Sequence, residues 1–397
     1  MRKLISAIVA LVFLLPVGLS AQTTIELDSI QVTASRISST VSESGKHVSV
    51  LTQADIRQLP VTSVDELIRT LPGLNLNSRQ GFGIQSDVGI RGSTFSQVLF
   101  MLDNAPLNDP LTAHFNTNIP VSLSEIGQIE IVRGPSSASY GADAVGGVIH
   151  IKTKTYMERE VKRGNRLLNY ATAELSGGQH NLYLADGALE LQGKRWRMSA
   201  SLRSVESDGE KLANPGFDEG VSEQEFYRNY FTLRNTSASF SYRPADNWSF
   251  YVRGGLDYRD FSARYFYTRS AIDESVEEIT SRWVLSSITR DTGNNRSEFN
   301  LSYRLVDDIF DFNSRIGIQP NEHTTSRTFG NFSHQILSDS EETPLGLERI
   351  MAGAQFSNRT INSTDRGNHD ELLGGVYLIA QLNPASRLNV TASTRLQ

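Results

Sequence analysis

The stretch WSFYVRGGLDYR, residues 248–259, puts Trp248, Phe250, Val252, Gly254, Leu256 and Tyr258 on one side of an extended chain and Ser249, Tyr251, Arg253, Asp257 and Arg259 on the other. Successive side chains of a strand point to opposite faces, so apolar groups recurring with a period of two mark a half-buried β-strand. The preceding run pairs naturally with it. Ala238, Phe240 and Tyr242 alternate with Ser237, Ser239 and Ser241, and Pro244 to Asn247 supplies the turn. Trp196, Met198, Ala200 and Leu202 against Arg195, Arg197, Ser199, Ser201 and Arg203 repeat the pattern, as do Phe299, Leu301, Tyr303 and Leu305 before a short turn expected at Asp307–Asp308. Short turns alternate with long polar connections, 206–229 and 270–281 among them. Strands of about 10 residues with one apolar face and that asymmetry of connections are what a transmembrane β-barrel requires. A soluble β-sandwich alternates in the same way, because a period of two does not say whether the apolar face meets lipid or another sheet.

Composition narrows the class. The 397 residues carry 38 Lys and Arg against 44 Asp and Glu, a formal charge of −6, and no cysteine. Disulfide scaffolds, thiolate metal sites and thiol nucleophiles are thereby excluded, and with no basic run nucleic acid is not an expected partner. At 39% hydrophobic the chain is too polar for a helical membrane protein, whereas a barrel needs no long apolar run. Residues 1–21 have the form of a secretory signal: Arg2 and Lys3, an apolar stretch from Leu4 to Leu15, and the small-residue end Leu19-Ser20-Ala21.

Phe, Trp and Tyr number 5 in residues 22–155 and 28 in residues 156–397. That step divides the chain into a signal (1–21), an N-terminal segment and flexible linker (22–45), an α+β domain (46–155) and a β domain (156–397). In the α+β domain, Thr52 can cap a short helix through Ile56. Ser63-Val64-Asp65-Glu66 has the form of a capping box, and Val64, Leu67, Ile68 and Leu71 fall at i, i+3, i+4 and i+7, one buried face that Pro72-Gly73 ends. Strand-like runs follow at Val88 to Arg91, Gln97 to Leu102, Gln128 to Val132 and Val148 to Thr153, with a tight turn at Asp103-Asn104.

The ordered motifs of this domain carry a resemblance. Ile90-Arg91-Gly92, Met101-Leu102-Asp103-Asn104-Ala105-Pro106, Ile129-Glu130-Ile131-Val132-Arg133-Gly134-Pro135 and Tyr140-Gly141-Ala142-Asp143-Ala144-Val145-Gly146-Gly147-Val148-Ile149-His150-Ile151 resemble the plug domain of TonB-dependent outer-membrane receptors. Asp28-Ser29-Ile30-Gln31-Val32-Thr33-Ala34-Ser35 resembles that family's TonB box. Two positions depart from the pattern: Asn104 stands where the family usually has Gly, and His150 where Asn is common. The resemblance implies an α+β plug domain followed by a transmembrane antiparallel β-barrel, in the Gram-negative outer membrane. It implies a transporter or receptor of the siderophore or cobalamin type, gated by TonB and its inner-membrane energising complex. The implied partners are outer-membrane lipid and a small iron- or cobalt-chelate ligand, and no cofactor is implied. The alternatives are a signalling or adhesion receptor without transport, and a secreted soluble β-protein.

Residue roles follow from the same resemblance. Asp28 to Ser35 is expected to bind TonB by strand addition, with affinity supplied by the backbone. Arg91, Gly92, Asp103, Arg133, Gly134, Pro135, Tyr140, Gly141, Gly146 and Gly147 carry the plug motif, with Arg91 and Arg133 expected to hold the plug to acids on the barrel wall. The glycines suit turns and close approach better than phosphate cradles. Loops at Asn77 to Ser86 and Asn108 to Asn118 are expected to face outward and to offer Phe82, Asp109, His114, Phe115 and Asn116 to a ligand. Asp218, Glu219, Glu223 and Glu225 in a barrel loop offer carboxylates of the kind calcium takes, but their spacing is not that of an EF-hand, and no metal centre is expected. The seven histidines form no His-x-x-x-His pair, and no Gly-x-Ser-x-Gly elbow is present, so the chain does not read as an enzyme. Finally, 242 residues follow Thr155, whereas receptors with a plugged lumen use about 22 strands. That leaves about 11 residues per strand with none for loops. The expectation is therefore the N-terminal part of a longer receptor, with about half a barrel.

Overall fold

The computed structural model describes residues 31–33, 36–41, 44–161, 169–338, 346–385 and 388–397. The expected signal, and Asp28, Ser29, Ile30, Ala34 and Ser35 of the N-terminal segment, lie outside these residues.

From Tyr170 onward the chain builds an eleven-stranded antiparallel sheet in simple meander order. Its strands include Tyr183–Gln192, Trp196–Ser207, Phe231–Tyr242, Trp248–Ser262, Val276–Asp291, Asn295–Asp311, Asn321–Leu337, Leu347–Ser363 and His369–Ala385. The expected hairpin is present in register, with Phe240 opposite Val252 and Tyr242 opposite Phe250. Which way its faces point decides the architecture. Phe250, Val252 and Leu256 are 39%, 42% and 53% exposed, whereas Tyr251, Arg253 and Asp257 on the other face are 3%, 1% and 3% exposed. The apolar side chains look outward and the polar ones are enclosed, the reverse of a soluble sandwich and the arrangement of a barrel wall in lipid.

Three expectations change. The strands run to 17 residues rather than about 10. At about 3.3 Å per residue such ladders continue well past an apolar band about 25 Å tall. Asp307–Asp308 is not a turn but mid-strand, opposite Thr280 and Ile279. Asp307 is satisfied across the ladders by Arg282 (2.5 Å) and Thr324 (2.9 Å), so two adjacent acids need not leave the sheet. The connection placed at 270–281 spans 263–275, since the next strand starts at Val276. The long connection after Ser207 folds back on itself as a small hairpin, Lys211–Ala213 with Phe226–Arg228.

Against the polar face of this sheet rests the α+β domain. Its central sheet runs in the order His47–Thr52, Ile126–Arg133, Gly147–Thr153, Val98–Leu102, Ala105–Pro106, with only Val98–Leu102 and Gly147–Thr153 parallel. Asp103 and Asn104 both take positive φ, 47° and 70°, as a two-residue turn of the type I′ kind demands. Gly147 is required by close approach, because a Cβ there would collide with the Val132 carbonyl of the neighbouring strand. Thr52 caps the Gln53–Gln58 helix through a reciprocal box with Asp55. Ser63 does not cap the Val64–Arg69 helix as expected. Its hydroxyl is turned to the buried carboxylate of Asp65, and Glu66 instead accepts from the backbone N–H of Thr62 (2.6 Å). Leu67 and Ile68 are buried with Ile56, Ile129 and Ile151 in a core that also reaches Tyr251, Trp283 and Leu285 of the wall.

If the outward face meets lipid, Val252→Arg should destabilise the folded protein by about 2–4 kcal/mol, the cost of a cation near the bilayer midplane. Urea unfolding of vesicle-reconstituted protein measures it, and an effect near zero would place that face in water.

Candidate functional site

The plug is gripped by the barrel wall through buried ions, and the polarity of the grip is opposite to the expectation. Arg253, on the enclosed face of the Trp248–Ser262 strand, forms a fork with the plug carboxylate Glu125: Nη1 to Oε2 at 2.9 Å and Nη2 to Oε1 at 3.0 Å. Ser199, Ser201 and Ser237 of adjacent strands donate to the same carboxylate at 2.9, 2.5 and 2.6 Å. The period-two alternation lines those serines up, since Ser199 and Ser239, and Ser201 and Ser237, are cross-strand partners. Burial alone would raise the Glu125 pKa, but the charge of Arg253 and this set of donors outweigh it and hold it at about 2.

Asp103 of the plug motif completes the cluster. It accepts from the Thr153 N–H (2.7 Å) and hydroxyl (2.7 Å) and from Tyr251 of the wall (2.6 Å), while Arg253 Nε stands 3.7 Å away. With the guanidinium at that distance, burial prevails and the Asp103 pKa moves up. A second clamp lies further along the wall, where Asp143 accepts from Arg327 (3.1 Å) and Arg359 (2.6 Å) and its pKa is held down against burial. Other wall arginines take plug carbonyls: Arg203 that of Thr62, Arg259 that of Gly83 (2.7 Å), and Arg304 that of Leu107. Arg133, by contrast, stays within the plug, donating to Ser49 (2.6 Å) and the Pro72 carbonyl (2.8 Å). Arg91 is exposed at φ 52° and pairs with no described carboxylate. The arginines that bridge sit on the wall and the acids on the plug, because the wall strands already present alternate polar positions to the lumen. Glu125, Asp143, Arg253 and Arg327 went unread; the polar half of residues 248–259 is the signal that contained one of them.

The plug has two distinct ends. Arg79 donates to the Phe266 carbonyl, Gln80 to the Asn229 carbonyl (2.5 Å) and Gln85 to Tyr267 (2.5 Å), so the 77–86 loop lies among the long connections. Phe82 there packs 5.2 Å from Phe231. In the 108–118 loop, His114 pairs with Asp87 at 2.6 Å and stacks on Phe95. Asp109 accepts from Thr325 of the wall at 2.5 Å. Phe115 and Asn116 correct the sequence reading: both are 2% exposed, Phe115 in a cluster with Ile84, Leu184 and Phe231, and neither presents its side chain outward. The 3₁₀ turn at Ala113–Thr117 tucks them under the loop. Asp218, Glu219, Glu223 and Glu225 are exposed, and among the described residues no three acids or histidines are placed to hold a metal ion.

At the opposite end, beside the short turn at 292–294, the N-terminal segment lines a cavity of about 600 Å³ with Tyr156, Arg296, Glu298 and Arg349. Gln31–Val32 pairs antiparallel with Ser39–Thr40, and Val32 is buried with Leu99, Val132, Tyr140 and Val148. Its other edge is occupied as well: Gln128 donates to the Gln31 carbonyl (3.0 Å), and the Thr33 N–H donates to Glu130 (3.0 Å).

Residues 40–148 match the family described as the TonB-dependent Receptor Plug Domain. With the barrel sheet beside it, that domain gives the chain the plug-and-barrel arrangement of the TonB-dependent receptors, proteins of the Gram-negative outer membrane. It is similar to vitamin B12 transporters BtuB from two strains of Vibrio vulnificus: 38% identical over 154 residues, covering 38% of this chain and 25% of that protein, and 28% identical over 266 residues, covering 65% and 42%. Among solved structures, the ferric yersiniabactin uptake receptor FyuA of Yersinia pestis superposes with a TM-score of 0.68 at 16% identity, over 89% of this chain and 57% of that one. The siderophore receptor PirA of Pseudomonas aeruginosa gives 0.63 at 18% identity, over 88% and 55%. The chain thus spans less than half the length of those two transporters.

Removing one partner of a buried pair leaves an uncompensated ion, so Glu125→Gln should loosen the plug by about 3–5 kcal/mol. The Glu125 pKa is lower folded than unfolded, so its contribution is full above the ordinary value of 4.5 and is lost as pH falls towards 2. Protease accessibility of the plug against urea, at pH 7 and pH 3, reads both effects.

Proposed function

We propose that this chain forms the plug and barrel wall of an active importer of a scarce chelate, an iron–siderophore complex or cobalamin. Residues Asp28 to Ser35 are where TonB, driven by its inner-membrane complex, pulls. The observation that carries this reading is the docked Gln31–Val32 strand at the short-turn end of the molecule, with both edges engaged at rest. Among the described residues its ladder is two residues long, a short attachment to release, and once released the strand offers a free edge for strand addition to a periplasmic partner. The vitamin B12 transporters and siderophore receptors among its relatives supply the ligand class. Binding falls to the end with long connections, where Phe82, His114 and Asp109 sit at the plug apex; Phe115 and Asn116 shape that loop from beneath. Hydrogen bonds and ion pairs, rather than a shared apolar core alone, hold plug to wall, which suits a plug that must shift and return. The work is conformational, with no covalent step, so no enzymatic role is assigned.

Ile30→Pro or Val32→Pro removes a ladder donor and should abolish energised uptake of radiolabelled cobalamin or ferric siderophore while leaving equilibrium binding of that ligand unchanged. Undiminished uptake in both variants would sink the coupling role.

A further inference from the structure

The two plug positions at which this chain departs from its family's motif touch each other. Asn104, in the turn, donates its backbone N–H to His150 Nε2 at 3.2 Å. A backbone amide can only donate, so Nε2 is the bare nitrogen and Nδ1 carries the proton. His150 is 1% exposed, and burial pushes its pKa well below the ordinary imidazole value, with Lys152, Arg36 and Arg159 adding in the same sense, so the ring is neutral. The proton on Nδ1 faces the Thr33 hydroxyl at 3.3 Å. That hydroxyl in turn donates to Glu130 Oε2 at 3.1 Å, the same carboxylate oxygen that accepts the Thr33 backbone N–H. Glu130 is fully buried, its other oxygen occupied by Lys152 and Gln128. On the far side, the Asn104 side-chain amide donates to Glu298 of the barrel wall at 2.7 Å. Glu298 also pairs with Arg296 (3.1 Å) and with Arg159 (3.5 Å), and it lines the cavity that the N-terminal segment borders.

Every donor and acceptor in this row therefore points one way, from the wall-bound turn through the imidazole and the Thr33 hydroxyl to Glu130. We infer that Asn104 and His150 are positioning residues that couple the docked state of the N-terminal strand to the barrel wall: Glu298 fixes the turn, the turn fixes the imidazole, and the imidazole with Glu130 holds Thr33. Because such coupling is reciprocal, a shift of Glu298 or its arginines loosens the strand, and withdrawal of the strand frees the turn from the wall. Gly and Asn at these two positions would lack the amide that reaches Glu298 and the second ring nitrogen, which makes the relay a property of this chain rather than of the motif. The inference rests on the N-terminal strand being the coupling element, as proposed above.

These 397 residues contain no cysteine, so an introduced one is the sole labelling site within them. In the full receptor, in ligand-free outer-membrane vesicles, a spin label is placed at Gln31→Cys, whose side chain is exposed, with a control label at exposed Ser96→Cys on the plug. Three variants are compared. Thr33→Val removes the hydroxyl. His150→Leu removes both ring nitrogens. Asn104→Gly keeps the backbone N–H and the positive φ and deletes only the amide to Glu298. Each should raise the mobile-to-immobile ratio of the label at position 31 about fivefold, the weight of one net hydrogen bond, with the line shape at position 96 unchanged. The decisive variant is Asn104→Gly, which does not touch the strand. If it leaves the ratio at the wild-type value while Thr33→Val raises it, the link stops at His150 and the relay is refuted. A rise that also mobilises the label at position 96 refutes it too, since strand release would then follow from plug melting. This readout needs neither transport nor ligand, so the two failures are distinguishable: undiminished uptake in Ile30→Pro and Val32→Pro removes the coupling role on which the inference rests, whereas an unchanged label ratio in Asn104→Gly refutes the relay itself.

Discussion

Arg253 is the interaction on which the remaining structure depends. Its guanidinium is enclosed on every side, and each nitrogen is taken: Nε by Tyr251, Nη1 by Glu125 and Ser237, Nη2 by Glu125, Ser199 and Ser239. A buried cation of this kind is tolerable only with a matched acid and a full set of acceptors. Glu125 comes from the plug, the serines from two neighbouring strands, and Tyr251 passes the cluster on to Asp103 in the plug motif. Plug position, barrel register and the conformation of the Asp103–Asn104 turn are therefore satisfied together or not at all.

The same constraint explains why the sheet is inside out. Lipid solvates the aromatic and aliphatic face at no cost, so the wall needs no apolar partner there. Its enclosed face must instead satisfy arginines, acids and serines, and with the plug in place it does so mainly with plug carboxylates and carbonyls. The plug keeps a hydrophobic core of its own around Leu67, Ile68, Ile129 and Ile151, so it remains folded while its outer surface bonds to the wall. Division of labour between a dry core and a polar contact surface is what allows the domain to be held firmly yet not irreversibly.

A gradient of attachment runs along the molecule. Near Arg253 and Asp143 the contacts are charge-assisted and doubled. At the short-turn end, the Gln31–Val32 strand is held by a two-residue ladder, a buried valine, and hydrogen bonds that include those from Gln128 and Tyr140 and two from Thr33 to Glu130. Force applied there meets the weakest contacts first, and the row through His150 and Asn104 joins those contacts to the wall.

How much was legible follows from which interactions are local. Period-two alternation in residues 248–259 and 237–242, the i, i+3, i+4 face of Val64, Leu67 and Ile68, and the Asp103–Asn104 turn all depend on neighbours in sequence, and each lies in the structure where the pattern puts it. The ordered glycine and arginine motifs were sufficient to indicate the plug. Failures came where the pattern named the wrong partner: Ser63 turned to Asp65, two residues on, instead of capping its helix, Asp307–Asp308 stayed in a ladder because Arg282 and Thr324 reached across, and Arg133 found Ser49 and Pro72 rather than a wall acid. By itself, then, the sequence determined the elements, the alternation and the family of the first domain. Only the tertiary structure decided which face meets lipid, that the arginines lie on the wall and the acids on the plug, and that Asn104 and His150 stand in one row with Thr33 and Glu298. Those outcomes depend on groups separated by up to 216 residues, and no local pattern states which polar face a buried charge will find.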